Sequence, residues 1–385
     1  MISPLEVPRD ELVRIRRHFH QNPELSMVEH ETAAFIEAEL RKLQLDDLRT
    51  GIGQTGILGT LKGGQPGPVT LLRADIDALP MTELNDVPYK SKRDGVMHAC
   101  GHDGHIAILL CAARELARRR AEVPGTIVFC FQPGEEGYAG NKLMIEDGAL
   151  ENPHVDRTFA LHLYSGLEVG KIGVRDRAFF ASSDEFHLTL RGKGGHGAMP
   201  DKAIDPIAAG SYFVTMVQSI VSREIAPKDP AVFTVGKFQS GSTFNVIPDE
   251  AHMEGTVRSF DADVRASMPE RIERILKGVC DATRIDYEFK YRWGYPPTVN
   301  DLAMNDIVRE AGKRALGPEN VVEHDIIMWA EDMSFMQNER PGAYFVVGVR
   351  GNERTSYAHH NARFDMDERA LDVGFKMMVE LGLRG

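Results

Sequence analysis

The segment TIVFCFQPGEEG, residues 126–137, joins a short apolar run to a polar loop that carries two adjacent carboxylates. An apolar run of this length without polar alternation is typical of a strand buried on both faces, as in a parallel sheet. Similar runs are VTLLRA at 69–74, TFALHL at 158–163 and AYFVVGV at 343–349. Helical patterns occur at 9–20, 29–43, 106–118 and 302–315. The alternation predicts an α/β domain in which helices cover a mostly parallel sheet.

A different pattern occupies the middle of the chain. Residues 183–192 (SDEFHLTLRG) alternate polar and apolar side chains, as expected of a half-exposed strand. A helix is predicted to begin after Asp205, a capping residue that directly precedes a proline. Further predicted elements are strands at 231–238, 252–260 and 286–292 and a helix at 262–281. This order predicts an α+β sandwich at 179–294, inserted into a larger domain formed by residues 1–178 and 295–385.

Composition limits the partners that the protein can have. The 45 lysines and arginines and the 57 aspartates and glutamates give a formal net charge of −12 at pH 7. That balance argues against nucleic acid, whose phosphates are bound by clustered Lys and Arg. The four cysteines are too few for a secreted disulfide framework, and neither a signal peptide nor an apolar run of bilayer length is evident. We therefore expect a cytoplasmic protein that binds neither nucleic acid nor membranes.

The segment MHACGHDGH, residues 97–105, combines three histidines, a cysteine and an aspartate. Imidazole, thiolate and carboxylate groups so close together suit zinc, nickel, cobalt or manganese. The segment could instead be a polar turn, capped by Asp103, before a helix that starts at Ile106. Cys100 lies between two of the histidines, which favours a metal ligand over a buried apolar cysteine or a thiol nucleophile.

Possible ligands follow several of the predicted strands. They are Asp75 and Asp77, Glu135 and Glu136, His162, and His359 and His360. The carboxyl ends of parallel strands meet at one edge of a sheet, where α/β proteins build their sites. Adjacent carboxylates in a loop can point apart, so one can bind a metal while the other acts as general base. The arrangement predicts a metal site at this edge.

Eight segments resemble, in the same order, those of the metal-dependent aminoacylase and carboxypeptidase superfamily. The similarity is to its amidohydrolase branch, with hippurate hydrolases and plant auxin–amino-acid conjugate hydrolases. The segments are LRADIDALPM (72–81), MHACGHDGH (97–105), FQPGEEG (131–137), ALHLY (160–164), GKGGHGAMP (192–200), FNVIPDEAHMEGTVRSF (244–260), AEDMSFM (330–336) and HHNARFDMDE (359–368). The resemblance implies that the larger domain is catalytic and that the inserted domain serves as a dimerisation or lid domain.

The same resemblance implies two divalent metal ions per subunit: Mn, Zn, Ni or Co. The implied ligands are Cys100, His102, Glu136, His162 and His360. The general base is then Glu135. His360 is preferred over His359 because the family places the ligand four residues before the aromatic that corresponds to Phe364, and Ala362 stands where the family commonly has proline.

Asp75 and Asp77 are expected to hold other ligands in place, a role that carboxylates often have around metal sites. Their alternative is a capping turn before Pro80.

Three residues of the inserted domain match functional residues of the family. The histidine that corresponds to His196 crosses a dimer interface and stabilises the tetrahedral oxyanion. Asn245 and Arg258 match residues that help to bind a substrate carboxylate or carbonyl, a task that suits the planar guanidinium. The alternatives are a turn role for Asn245 and a surface ion pair for Arg258.

These inferences predict a metal-dependent hydrolase that cleaves the amide bond of N-acyl amino acids, hippurate-like or related small amides, as a homodimer or higher homo-oligomer. Glu135 takes a proton from the attacking water and returns it to the departing amine. A dipeptidase or carboxypeptidase of the same superfamily is the alternative among enzymes. A catalytically silent metal-binding scaffold is the alternative outside enzymes, and the additional carboxylate of Glu135 argues against it.

Overall fold

A computed structural model describes residues 5–384. The helices in this range are α1 (Arg9–Gln21), α2 (His30–Leu40), α3 (His102–Arg118), α4 (Gly140–Glu146), α5 (Pro206–Met216), α6 (Ala262–Thr283), α7 (Leu302–Leu316), α8 (Ser334–Glu339) and α9 (Arg369–Arg384). The strands are β1 (Asp47–Ile52), β2 (Gly56–Lys62), β3 (Gln65–Asp75), β4 (Pro124–Gln132), β5 (Arg157–Glu168), β6 (Ile172–Val174), β7 (Arg177–Phe180), β8 (Asp184–Arg191), β9 (Gly195–His196), β10 (Ala231–Ser240), β11 (Val246–Ile247), β12 (Glu250–Ser259), β13 (Asp286–Arg292), β14 (Thr298–Asn300), β15 (Val321–Glu323) and β16 (Gly342–Arg350).

The described residues form two compact units. The first unit comprises residues 5–177, 299–325 and 332–384, and the second comprises residues 178–298 and 326–331. The boundaries predicted for the inserted domain, 179–294, do not include the short segment 326–331. Its composition did not mark it as separate from the residues around it.

The first unit is built on a mixed sheet. Over the described residues its strand order is β1-β2-β4-β3-β5-β16-β6-β15. The central strands β4, β3, β5 and β16 are parallel, whereas β1 and β2 are antiparallel to each other and β2 is antiparallel to β4. The predicted mostly parallel sheet is confirmed, and the antiparallel strands at its edge are an addition to it.

Apolar runs explain why the central strands are buried on both faces. The last six residues of β4 are all buried, as are eight of the nine residues of β16. Helix α3 is buried from His102 to Ala113 and packs against α1 and α9. Because the central strands are parallel, their carboxyl ends lie at one edge of the sheet. The loops that follow these ends carry the polar residues described below.

Helix α3 begins at His102, four residues before the predicted start. Gly101 precedes it with φ +99°, a conformation that glycine adopts without strain. Asp103 does not cap the helix: its carboxylate accepts a hydrogen bond from Arg16 Nε (2.8 Å) and contacts His20 Nδ1 (2.7 Å). The expected polar turn is therefore the first turn of a buried helix.

The second unit contains an antiparallel sheet with strand order β10-β12-β8-β13. Alternate residues of β8, namely Phe186, Leu188 and Leu190, are buried in a core formed with α5 and α6. Asp205 caps α5 by accepting from the backbone N–H groups of the second and third helical residues. The strands β9 and β11 form a separate antiparallel pair in which His196 lies opposite Val246.

None of the helices in residues 5–384 has the length and apolar composition that a bilayer crossing requires.

Candidate metal centre

The five predicted metal ligands all lie in the first unit, in two sets that share one cysteine. The first set is Cys100, His102 and His162, and the second is Cys100, Glu136 and His360. Within each set the donor atoms lie within 4.8 Å of one another. Cys100 Sγ is 3.4 Å from His162 Nε2, and His360 Nε2 is 3.1 Å from Glu136 Oε1. The two sets would hold two divalent ions, and Cys100 would be available to both.

The ring of His102 is oriented by Asp77, the second residue after β3. His102 Nδ1 lies 2.9 Å from the carbonyl oxygen of Asp77 and 3.2 Å from its Oδ1. Nδ1 therefore carries the ring proton, and Nε2, which has no hydrogen-bond partner among the described residues, keeps its lone pair for a metal. Burial alone lowers the pKa of His102, but the carboxylates of Asp75 and Asp77 raise it to about 10. In metal-free protein this raised pKa favours a second ring proton, on Nε2, and a bound metal would replace that proton.

The surroundings of Cys100 require a cation if the sulfur is to be a thiolate. Burial raises the pKa of the Cys100 thiol well above its usual range, and the carboxylates of Glu136, Glu135 and Asp75 raise it further. A thiol in such an acidic, buried setting does not ionise alone, whereas a coordinated divalent ion deprotonates it. The donor set therefore fits a resident metal.

The adjacent histidines 359 and 360 have different environments. His359 Nδ1 lies 3.1 Å from the carbonyl oxygen of Cys100, and its Nε2 accepts from the backbone N–H of Ser165 (3.2 Å). Both ring nitrogens of His359 are thus engaged with backbone. His360 has a left-handed backbone, with φ +61°, and its side chain turns toward Glu136 and keeps 54% of its surface exposed. This contrast gives a physical reason to choose His360 as the ligand.

The loop after β4 places two adjacent carboxylates beside the ligand sets. Glu135 is 6% exposed, and its carboxylate lies within 4.8 Å of donor atoms of His102 and Glu136. The loop turns at Gly134, which has φ +57° and donates its N–H to Glu29 Oε1 (2.9 Å). The backbone N–H of Glu136 donates to Asp77 Oδ2 (3.0 Å). The loop conformation is therefore fixed by hydrogen bonds to other segments.

Asp75 contacts a histidine that the sequence did not single out. His105 Nδ1 lies 2.5 Å from Asp75 Oδ1, and His105 Nε2 accepts from the backbone N–H of Leu163 (2.9 Å). Because both of its nitrogens are engaged, His105 is not free to bind a metal. Asp75 also lies 3.6 Å from His102 Nε2. Asp75 and His105 thus form a buried pair next to the proposed ligand His102.

The remaining predicted site residues belong to the second unit. His196 and Asn245 are exposed, and the backbone carbonyl of Asn245 accepts from Gly197 N–H (2.8 Å). His196 Nδ1 accepts from the backbone N–H of Ala198 (3.0 Å), so its proton is on Nε2. Arg258 is half-buried and donates to Thr256 Oγ1 and to the carbonyl oxygen of Val257.

The structure does not support a surface ion pair for Arg258. Among residues 5–384 its guanidinium donates to Thr256 and Val257 and has no carboxylate oxygen within 4.0 Å, and burial lowers the pKa of the guanidinium. An anion could therefore still be accommodated there.

The chain is similar to known proteins over nearly its full length. Residues 71–384 match the model of Peptidase family M20/M25/M40. The chain is 40% identical over 372 residues to the N-acetylcysteine deacetylase of Bacillus subtilis, covering 97% of this chain and 96% of the relative. It is 39% identical over 381 residues to the IAA-amino acid hydrolase ILR1-like 4 of Arabidopsis thaliana, covering 97% and 86%. A solved structure, the YXEP protein of Bacillus subtilis, described as a dinuclear metal binding peptidase, superposes with a TM-score of 0.86 at 36% identity and 97% coverage of both chains.

The fold, the buried donor sets and these similarities together define a metal-dependent hydrolase that acts on amide or peptide bonds. The chain belongs to peptidase family M20/M25/M40. The superfamily and the amidohydrolase class predicted from the motifs are confirmed, and the alternative of a catalytically silent scaffold is set aside. The individual residue roles, the substrate and the oligomeric state stay predictions.

Proposed function

We propose that the protein hydrolyses the amide bond of N-acyl amino acids at a dinuclear metal centre. The observation that carries the proposal is the pair of ligand sets sharing Cys100, with the additional buried carboxylate of Glu135 beside them. The proposed ligands are Cys100, His102, Glu136, His162 and His360. When bound, two divalent ions would polarise the scissile carbonyl and lower the pKa of the attacking water.

Glu135 is proposed as the general base. Its carboxylate is close to the donor atoms of His102 and Glu136, yet it belongs to neither set that contains Cys100. It can therefore take a proton from the attacking water and deliver it to the departing amine nitrogen. The products are a carboxylic acid and an amino acid.

His196 is proposed to stabilise the oxyanion that forms on the acyl carbonyl. The protonated Nε2 of this exposed histidine is a suitable donor, because Nδ1 already accepts from backbone. Asn245, opposite the same turn, and the half-buried Arg258 are proposed to bind the carboxylate or carbonyl of the substrate. All three residues lie in the second unit, whereas the proposed metal ligands lie in the first.

A homodimer is proposed as the active form. The strands β10 and β13 are edge strands of the sheet in the second unit. Apolar side chains of α5 and β10 are exposed: Ile207, Tyr212, Met216 and Phe238. Pairing with a second copy would cover such an edge and such side chains. The second unit is accordingly proposed as a dimerisation or lid domain.

The substrate class is supported by the names of the relatives as well as by the site. An N-acetylcysteine deacetylase and an IAA-amino acid hydrolase both act on acylated amino acids. A dipeptidase or carboxypeptidase remains the second candidate, because the same chemistry cleaves a peptide bond. A peptide substrate with a free α-amine needs an additional acceptor that an acyl substrate does not need.

The test is a substrate panel that differs only at the acyl group. N-acetyl, N-benzoyl and N-indoleacetyl derivatives of one amino acid are compared with a dipeptide that has a free α-amine, with Glu135→Gln as the inactive control. We expect a higher kcat/KM for the acylated substrates. Preferential cleavage of the dipeptide would favour the second candidate, and no turnover of any substrate by metal-loaded protein would overturn both.

A further inference from the structure

A fully buried guanidinium, that of Arg73, lies next to the candidate metal centre. Its nitrogens donate to three different residues: Nη1 to Asp75 Oδ2 (2.7 Å), Nη2 to Asp332 Oδ1 (2.9 Å) and Nε to Gln132 Oε1 (2.8 Å). Both of its carboxylate partners are fully buried as well. Buried ion pairs of this kind give little net stability relative to apolar packing, so stability alone does not account for the arrangement.

One series of hydrogen bonds leads from the guanidinium to a proposed ligand. Asp75 Oδ2 accepts a hydrogen bond from Arg73 Nη1, and Asp75 Oδ1 contacts His105 Nδ1. His105 accepts the backbone N–H of Leu163, and the Leu163 carbonyl oxygen accepts from His162 Nδ1 (2.8 Å). This last bond fixes the tautomer of His162, with the proton on Nδ1 and the lone pair on Nε2. Asp75 is therefore connected through His105 to the backbone beside His162.

A second series leads to the loop that carries the proposed base. Gln132 is the last residue of β4, three residues before Glu135. Its Nε2 donates to Asp332 (2.8 Å), while its Oε1 accepts from Arg73 and from Asn141 Nδ2 (2.7 Å). The backbone N–H of Asn141 also donates to Asp332 (3.0 Å). The start of the loop is thus bonded to the same guanidinium.

We propose that Arg73 is a positioning residue of the metal centre. By holding Asp75 and Gln132 in fixed orientations, it keeps His162 and the loop of Glu135 and Glu136 in the geometry that binds metal. Its permanent positive charge compensates the buried carboxylates, so the ligands are preformed in metal-free protein. The inference rests on the metal-ligand assignment of the proposed function, and it is independent of which amide is cleaved.

The test measures Co²⁺ binding to metal-free protein for wild type, Arg73→Met and Arg73→Lys. The readouts are the number of ions bound, their dissociation constants and the sulfur-to-cobalt charge-transfer band from Cys100. Loss of a residue that orients metal ligands typically lowers metal affinity by about 10- to 100-fold. We expect such a loss, with an altered band, in Arg73→Met, and a smaller loss in Arg73→Lys, which keeps the charge but not the three-way donor geometry.

Arg157→Met is the matched control. Arg157 is also an arginine of the central sheet, and its Nε donates to Thr70 Oγ1 on the neighbouring strand (2.8 Å), but among the described residues its side chain bonds neither to a proposed ligand nor to the partners of Arg73. It should bind Co²⁺ like the wild type. His105→Leu is the second test, because it interrupts the series to His162 while it retains Arg73. It should weaken Co²⁺ binding and change the band in a protein that is still folded by circular dichroism.

Wild-type affinity and spectrum in Arg73→Met would overturn the proposal, as would an equal loss in Arg157→Met. If Arg73→Met does not fold, His105→Leu and Arg73→Lys decide: wild-type binding in both would contradict the proposed role. Failure of the proposed function has a different signature. In that case wild-type protein binds two ions but does not cleave acylated amino acids. The differences in Co²⁺ affinity between wild type and the Arg73 variants are then still observed.

Discussion

Glu135 and Glu136 are neighbours in the sequence, but their carboxylates have different surroundings. Glu136 shares a ligand set with Cys100 and His360, whereas Glu135 is buried beside His102 and Glu136. A carboxylate that binds metal and a carboxylate that moves protons can therefore be told apart by experiment, although both are essential to the proposed reaction.

We predict that Glu135→Gln keeps its metal but loses about 10²- to 10⁴-fold in kcat, the usual contribution of a positioned acid–base group. Glu136→Ala should lose metal because a ligand is removed. Metal content by mass spectrometry and turnover are measured on the same samples. Equal metal loss in the two variants would refute this division of roles.

The two adjacent histidines offer a second comparison at the same scale. His360→Ala should reduce the bound metal from two ions to one and leave the thermal stability of the metal-free protein nearly unchanged, because the side chain is largely exposed. His359→Ala should instead lower the stability of metal-free protein by about 1 to 3 kcal/mol, since it leaves backbone groups at Cys100 and Ser165 without their partner. Urea unfolding and metal analysis distinguish these results, and the reverse pattern would show that His359 is the ligand.

At the scale of the elements, α1 is joined to α3 by a buried ion pair. The side chains of Arg16 and Asp103 have no exposed surface, and Arg16 also donates to Asp365 Oδ1 (3.2 Å). Burial alone would raise the pKa of Asp103, but Arg16 and His20 hold it far below its usual range. Since Asp103 directly follows the proposed ligand His102, this pair connects the amino-terminal helix to the ligand-bearing turn.

Arg16→Met should destabilise the protein by about 3 to 5 kcal/mol at pH 7, because two buried carboxylates lose their counter-charge. The pKa of Asp103 is depressed in the folded state, so its stabilising contribution is complete above the ordinary aspartate pKa of about 3.9 and declines as the pH falls below it. The difference between variant and wild type should therefore narrow below about pH 4. Urea unfolding at several pH values tests this, and a difference that does not change with pH would contradict the ion-pair account.

Sequence patterns predicted the central strands well because these strands are apolar on both faces. The run at 126–131 lies inside β4, and that at 158–163 lies inside β5. The edge strand β1 was missed, since its residues are exposed or half-buried and form no apolar run. Strand β2 is buried but contains two glycines, which weaken any pattern of strand propensity.

The candidate site was predictable where its residues lie in short sequence motifs. Cys100, His102 and the two glutamates lie in segments whose composition and position after strands indicate metal chemistry. The partners of Arg73 were not predictable, because Asp332 is 259 residues away in the sequence and only the folded sheet brings the two together. For the same reason, the sequence offered Asp103 as a helix cap, whereas its carboxylate is paired with an arginine 87 residues earlier.

At the scale of the whole molecule, we propose that His196 completes the metal centre of a second copy of the chain. If His196 serves the partner's metal centre, His196→Ala should bind metal and dimerise but turn over slowly. A mixture of His196→Ala and Glu135→Gln, each nearly inactive alone, should then recover activity, because one site of each heterodimer has both wild-type residues. With random exchange of subunits the recovery is roughly a quarter of the wild-type rate. No recovery under verified exchange would mean that His196 acts within its own chain or not at all.

The most direct test of the metal-dependent mechanism is a stoichiometric metal titration of the whole protein. Exhaustively chelated protein, verified as metal-free by mass spectrometry, receives increments of Mn²⁺, Co²⁺, Ni²⁺ or Zn²⁺ while bound metal and hydrolysis of the best acylated amino acid are measured together. The two ligand sets that share Cys100 predict no turnover without metal and a rise in activity that reaches its plateau at two ions per chain. Full turnover by verified metal-free protein would contradict the mechanism.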